Sequence, residues 1–224
     1  MKPLKSLSEQ VYDYIIKQIK LNRLNPGDRL QEADLIEKLQ ISRTPLREAL
    51  IQLTADGVIE NIPRKGFFVR KYDEERGRDT WRVIAQLDAY AAVLAVDRIT
   101  DAELNQMDSA IHMIDFAIDH QDYEIYNDQM ETFHGIYLDA CGNQRLIELI
   151  NQLEKECVRI AAYPSDGKEL FTVLAQSNDE HREILRYFRE KDVEALRKTV
   201  ASHWLIVQRH DKETPGDLAD CQAK

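Results

Sequence analysis

The chain is poor in several features that mark whole classes of protein. No run of about 18 apolar residues occurs, and Met1-Lys2-Pro3-Leu4-Lys5 is followed by no apolar leader segment. Neither a membrane span nor export is therefore expected, and the expected location is the cytoplasm. Cysteine is scarce: Cys141, Cys157 and Cys221 are odd in number and form no C-x-x-C pair. That fits a reducing compartment and thiols used for packing, with Cys221 in a loose tail, better than a disulfide framework. H-E-x-x-H, a glycine-rich phosphate loop and a nucleophile elbow are all missing, which removes the commonest hydrolase and nucleotide-binding chemistries. Self-similarity at the roughly 34- or 40-residue periods of helical repeats is also missing, so a closed bundle is favoured over a solenoid.

What is present is charge, at 31% of residues against 43% hydrophobic, the balance of a soluble globular protein. The net charge of −10 conceals a division. Residues 1–72 hold 13 Lys+Arg and 9 Asp+Glu, net +4, and the remainder holds 17 against 31, net −14. A basic small domain joined to an acidic larger one implies that only the first meets a polyanion.

Within residues 1–72, Val11, Ile15, Ile16 and Ile19 recur at helical spacing after Ser6 or Ser8, either of which can cap a first helix running from Leu7 to about Leu21. Asn25-Pro26-Gly27-Asp28 makes a turn, and Leu35, Ile36 and Leu39 place a short second helix over Glu32–Leu39. Ser42 begins a third, with Pro45 in its first turn and Leu46, Leu50 and Leu53 on its inner face; Gly57 ends it. Arg43, Thr44 and Arg47 are left facing outward at its start, where guanidinium groups match phosphate oxygens and guanine edges. Two β-prone runs follow, Val58–Ile62 and Gly66–Arg70, separated by Pro63-Arg64-Lys65. This hairpin would be a wing, with Arg64, Lys65 and Gly66 at a tip able to meet the DNA backbone or minor groove.

Pro26-Gly27-Asp28-Arg29-Leu30, Ser42-Arg43-Thr44-Pro45-Leu46-Arg47-Glu48-Ala49-Leu50, Leu53-Thr54-Ala55-Asp56-Gly57-Val58-Ile59 and Arg64-Lys65-Gly66-Phe67 together resemble the winged-helix domain of GntR-type transcriptional regulators. The resemblance runs from Leu7 to Lys71. It implies that Arg43, Thr44 and Arg47 are recognition-helix contacts and that Lys65 and Gly66 are wing contacts. Some members carry an arginine early in the second helix, where this chain has Ala33.

From Asp73 onward strand signal almost vanishes, and the glycines fall at breaks between helical segments. The expected architecture is mainly α: a winged helix-turn-helix of three helices plus a hairpin over 1–72, a linker over 73–77, and an all-α bundle of about six helices over 78–213. A disordered tail is expected over 214–224. The helical segments are about 78–98, 101–120, 123–140, 145–162, 167–190 and 192–210. Thr100-Asp101-Ala102-Glu103 is a capping box, and Gly142-Asn143 is a helix stop.

Three histidines, His134, His181 and His203, sit on the apolar faces of three different segments. One such residue is more often a hydrogen-bonded core group. Three from separate helices make a nitrogen-rich cage suited to zinc, nickel or a similar ion.

Phe133-His134-x-x-Tyr137-x-x-Ala140-Cys141-Gly142-Asn143-x-x-Leu146, then Glu180-His181-x-x-Ile184-Leu185, then His203, resembles the FCD effector domain of the FadR-like branch of those regulators. In many members three such histidines and an aspartate one helical turn before the first hold a metal ion. Here that position is Met130, a thioether and a poor ligand for a hard or borderline ion. The expectation is a three-histidine divalent transition-metal site, completed by water or effector, or joined by Glu131 as a fourth ligand. Its open positions suit a small organic acid, with Arg82, Gln86, Arg159 and Tyr163 as candidates to hold the rest of the molecule.

The function these features imply is a homodimeric, ligand-responsive regulator that binds double-stranded operator DNA, repression being the default, with no catalytic residues and no membrane contact. The contrasting expectation is a metal-dependent hydrolase on the same histidines, for which Glu131 and Glu180 are the candidate general bases.

Overall fold

A computed structural model describes residues 5–21, 23–71, 74–156 and 167–204. Its contacts divide the chain into two compact units, Met1–Gly77 with Asn151–Ala161, and Arg78–Ile150 with Ala162–Lys224.

In the first unit, α1 (Leu7–Lys20) buries Val11, Ile15 and Ile19. Of the two candidate caps it is Ser6 that acts: its Oγ accepts from Glu9 N at 3.2 Å, and the Glu9 carboxylate accepts from Ser6 N at 2.7 Å. The short α2 (Glu32–Leu39) buries no residue fully but lays Leu35, Ile36 and Leu39 on the core. It ends on Gln40 in the left-handed conformation, and α3 (Arg43–Ala55) follows with Leu46, Leu50 and Leu53 wholly buried. Ser42 has the extended backbone of an N-cap without donating or accepting a side-chain capping bond. Past Asp56, Gly57 takes a φ of +74° while Val58 N returns to Leu53 O at 3.0 Å, closing the helix end.

The wing is β2 (Ile59–Ile62) paired antiparallel with β3 (Gly66–Val69), Ile59 opposite Val69 and Ile62 opposite Gly66. Sequence reasoning missed a third strand: β1 (Arg29–Leu30) pairs with β3, giving the order β1-β3-β2. Two residues are too few for an alternating pattern to register, and the strand exists only because β3 offers a free edge. Pro63 and Arg64 form the tip, where Lys65 N donates to Ile62 O at 3.0 Å and Arg64 takes a φ of 66°, the pattern of a type II turn.

The second unit holds α4 (Glu74–Ala95) from Arg78 on, α5 (Asp101–Asp119), α6 (Tyr123–Ala140), α7 (Gln144–Glu156) as far as Ile150, α8 (Gly167–Glu190) and α9 (Val193–His203). Helix α4 begins at Glu74, inside the stretch expected to be linker, because Glu75 suits a positive helix N-terminus and one glycine, Gly77, costs a helix only about 1 kcal/mol. Thr100 and Glu103 form the capping box of α5. Small residues on α4, Ala89, Ala91, Ala92 and Ala95, share one core with the bulky Phe133, Tyr137 and Phe188. At the end of α6, Arg98 Nη1 donates to Cys141 O at 2.7 Å, and Gly142 at φ +67° makes room for that guanidinium. Cys141 is buried, whereas Cys157, Cys221, residues 157–166 and the tail 214–224 lie outside the described residues. Among the described residues no helix is long and apolar enough to cross a membrane.

Candidate functional site

Helical periodicity puts His134 of α6, His181 of α8 and His203 of α9 on inward faces, and packing brings them together; all three are buried. His181 Nε2 stands 3.3 Å from His134 Nε2 and 3.1 Å from His203 Nε2. Among the described residues these three form the group able to hold an ion.

The opposite edge of each ring fixes its proton. Tyr137 Oη donates to Asp88 Oδ2 at 2.5 Å, so it must accept from His134 Nδ1, 2.6 Å away. Asn178 Nδ2 donates to Asp115 Oδ1 at 2.7 Å and to Ile111 O at 3.3 Å, which leaves Asn178 Oδ1 to accept from His181 Nδ1 at 3.2 Å. Glu180 Oε2 accepts from His203 Nδ1 at 2.9 Å. Every Nδ1 is thus a donor, and in the neutral rings every Nε2 is a bare lone pair. Burial, with His203 close by, holds His134 below the ordinary imidazole range against the opposing pull of Asp88. Burial, His203, His134 and Arg182 hold His181 well below it.

Three lone pairs converging at such separations repel unless a cation lies between them. Tetrahedral zinc–nitrogen bonds of about 2.1 Å place ligand nitrogens ~3.4 Å apart, close to the spacing found. Oxygen partners on the outer ring nitrogens are also what metal-binding histidines require. The donor set fits a zinc- or nickel-like ion.

The remaining expected residues are placed less favourably. Met130 packs with the apolar cluster of Ile114, Ala117, Tyr126 and Leu174 and brings no oxygen to the histidines. Glu131 is exposed and its Oε1 accepts from Asn127 Nδ2 at 3.0 Å, which places it outside the ion-holding group. Arg82 and Gln86 are exposed, not inward, and Arg82 pairs with Asp79. The inner face of α4 is instead the one carrying Ile84, Ala85, Asp88 and Ala92, a rotation of roughly 100° per residue away from Gln86. Arg159 and Tyr163 lie outside the described residues. Glu180, a candidate base for the hydrolase reading, is engaged on Nδ1 of His203, the ring edge away from the lone pairs.

Sequence reasoning missed the supporting groups Asp88, Asn178 and Trp204. Asn178 and Tyr137 each lie three residues from a histidine, a spacing that shares a helix face and could have been searched. Asp88 and Trp204 meet only in the fold: Trp204 Nε1 donates to Asp88 Oδ2 at 2.6 Å, and its ring lies 4.8 Å from that of His134.

In the first unit Arg43, Thr44 and Arg47 are exposed on the first turns of α3, and Arg64 and Lys65 are exposed at the wing tip. Two neighbours brace them. Glu32 Oε2 accepts from Arg47 Nε at 3.4 Å, and the Arg29 guanidinium lies against Gly66, whose φ of +98° suits glycine. Ala33 is exposed, with no basic group at that place on α2.

Comparison with known proteins matches residues 7–69 to the model described as bacterial regulatory proteins, gntR family, and residues 79–205, more than half the chain, to the FCD domain. The chain belongs to the GntR family of bacterial regulators, in its FCD-domain branch. This regulator is 28% identical over 209 residues to YdhC of Bacillus subtilis, an HTH-type transcriptional regulator, covering 91% of this chain and 88% of that one. It is 22% identical over 203 residues to the HTH-type transcriptional repressor RspR of Escherichia coli, with the same coverage of 91% and 88%. E. coli McbR/YncC shares the fold with a TM-score of 0.81 at 24% identity, over 93% of this chain and 97% of that one. The chain is therefore a transcriptional regulator with a GntR helix-turn-helix and an FCD domain.

Proposed function

We propose that this regulator is a repressor that binds its operator as a dimer and is released by a small carboxylate metabolite bound at a metal ion held by His134, His181 and His203. The single observation that carries the reading is the convergence of three Nε2 lone pairs with every Nδ1 engaged elsewhere. With Met130 in place of a carboxylate, the histidines supply no negative charge, so a divalent ion there keeps its full charge and open positions. An anionic effector supplies both the missing ligand and the missing charge. Arg43, Thr44 and Arg47 would enter the major groove while Arg64, Lys65 and Gly66 meet the adjacent backbone or minor groove. RspR, a repressor by name, supports the sign of regulation. The effector acts to the extent that it binds the DNA-free arrangement more tightly than the DNA-bound one.

The test is selection of bound fragments from the source genome, followed by titration of small acids into the protein–DNA complex with and without zinc. Release of DNA that requires both acid and metal supports the reading. Release by acids that is indifferent to metal would remove the ion from the mechanism.

A further inference from the structure

Arg29 carries a charge that neither the recognition helix nor the wing tip accounts for. It lies in β1, a strand held to the edge of β3 by backbone bonds on its approach: Gly27 N donates to Val69 O at 2.8 Å and Val69 N to Asp28 O at 2.9 Å. With the backbone fixed, alternation turns Leu30 into the core and Arg29 to the outer face of the sheet. Arg29 stands opposite Phe68, and Gly66 is its diagonal neighbour two residues nearer the wing tip, within reach of a long side chain. The side chain takes that direction. A Cβ built on Gly66 would lie 3.7 Å from both Nε and Nη2 of Arg29.

No acid of the chain answers this charge. Among the described residues the side chain of Arg29 forms no ion pair and no hydrogen bond, and the same holds for Arg64 and Lys65. The carboxylate of the neighbouring Asp28 is turned back to Asn25 N, from which it accepts at 2.6 Å. Glu60 lies on the same sheet face, but it and Arg29 flank Phe68 from opposite sides, so β3 stands between them. Arginines of the second unit behave otherwise: Arg182 pairs with Asp115 and Asp179, Arg189 with Asp108, and Arg197 with Glu194. In a chain of net charge −10, an unpaired guanidinium laid on the glycine that follows two more unpaired cations is arranged to receive an anion from outside.

We propose that Arg29 belongs to the wing in space, though not in sequence, and binds a phosphate of the DNA backbone at the wall of the groove that Arg64 and Lys65 approach. The assignment rests on the DNA-binding reading of the wing above and adds to it a residue from outside the hairpin. Phosphate rather than base follows from reach. The minor groove is about 7.5 Å deep, and only the tip residues can be lowered to its floor, whereas the Arg29 guanidinium is level with Gly66, where β3 begins. A guanidinium fork matches two phosphate oxygens at once. The role also gives a two-residue strand a use, because β1 fixes the backbone of Arg29 before the phosphate arrives and leaves less freedom to be lost on binding.

The experiment is fluorescence anisotropy of the full chain with two labelled duplexes of equal length, one built of A·T pairs in mixed order and one of G·C pairs, over salt from about 50 to 200 mM. Arg29→Ala and Arg29→Gln are expected to flatten the plot of log affinity against log salt by about 0.9 for each domain seated on DNA, as Lys65→Ala does, and to do so equally on both duplexes. Arg29→Lys keeps the charge and is expected to keep the slope. Melting temperatures are expected to stay at the wild-type value, since the side chain is exposed and the bonds from β1 to β3 are made by the backbone.

A wild-type slope in Arg29→Ala or Arg29→Gln overturns the proposal, since a side chain that only packs on Gly66 leaves the slope alone. So does a slope lost in Arg29→Lys as fully as in Arg29→Gln, or a loss confined to the A·T duplex, which would make Arg29 a reader of the minor groove. If neither Lys65→Ala nor Arg29→Ala changes the slope, the wing reading falls together with this proposal. A change in Lys65→Ala alone leaves the wing standing and removes Arg29 from it.

Discussion

His181 and His203 present their Nε2 atoms to each other at 3.1 Å, and the outer nitrogen of each ring is engaged elsewhere, Nδ1 of His181 with Asn178 Oδ1 and Nδ1 of His203 with Glu180 Oε2. A pair of facing lone pairs is a poor structural contact and a good half of a chelate.

Metal content follows from that pair. Protein purified without chelators is expected to carry close to one zinc or nickel per chain, measured by elemental analysis, and His181→Ala is expected to lose it. Binding to the folded state alone should raise stability by roughly 2.7 kcal/mol at a hundredfold excess over the dissociation constant. Equal metal content in wild type and variant would return the histidines to the role of packed core residues.

The metal-free protein should lose stability in mild acid. His134 and His181 are held below the ordinary imidazole value by burial, so the unfolded chain takes up protons near pH 6.5 while the folded one does not. More protons on the unfolded state means stability that is full above that value and falls as pH drops toward the folded values. Melting temperatures of chelated protein from pH 7.5 to 5.5 should show the decline, and His181→Gln should flatten it. A slope unchanged by the substitution would assign the acid sensitivity elsewhere.

On the DNA side, Arg47→Ala is expected to cost about 1–3 kcal/mol of specific affinity and to relax selectivity at one base pair if the guanidinium reads a base. Lys65→Ala should weaken all sequences alike and reduce the salt dependence by about one phosphate contact. Glu32→Gln tests the brace at 3.4 Å, which is exposed and worth at most about 1 kcal/mol, so only a small change in affinity is expected. Electrophoretic or fluorescence titrations at two salt concentrations separate these outcomes, and an unaltered affinity in Arg47→Ala would take that residue out of the interface.

Gly142→Ala should destabilise the second unit by about 2–4 kcal/mol, the sum of a left-handed backbone unsuited to alanine and a lost charged hydrogen bond. An added Cβ would stand 1.7 Å from Arg98 Nη1, which caps Cys141 O. Chemical denaturation gives the value, and Arg98→Ala combined with Gly142→Ala should cost less than the two single changes added together. Additive costs would show that Arg98 and Gly142 do not depend on each other.

Periodic patterns carried much of the fold in the sequence alone. Leu46, Leu50 and Leu53 define the inner face of α3, and the same reasoning places His134, His181 and His203 on inner faces of α6, α8 and α9, because a helix face is a local property with a fixed repeat. Thr100-Asp101-Ala102-Glu103 and Gly142 mark helix ends for the same reason. Local patterns err where a segment lacks a face to count, as with the two residues of β1, or where one residue of rotation decides, as with Arg82 and Gln86 set against Asp88.

The sequence by itself determined a basic winged helix with outward Arg43, Thr44 and Arg47, an acidic helical bundle, and three inward histidines, since each of these follows from spacing and composition. Only the tertiary structure decided that the three Nε2 atoms meet, which proton each ring carries, and that Asp88 stands beside them with one oxygen unclaimed. The meeting of the rings joins His134 to His181 across 47 positions and His181 to His203 across 22, and Asp88 reaches Trp204 across 116; such relations arise from packing between elements, which no local repeat encodes.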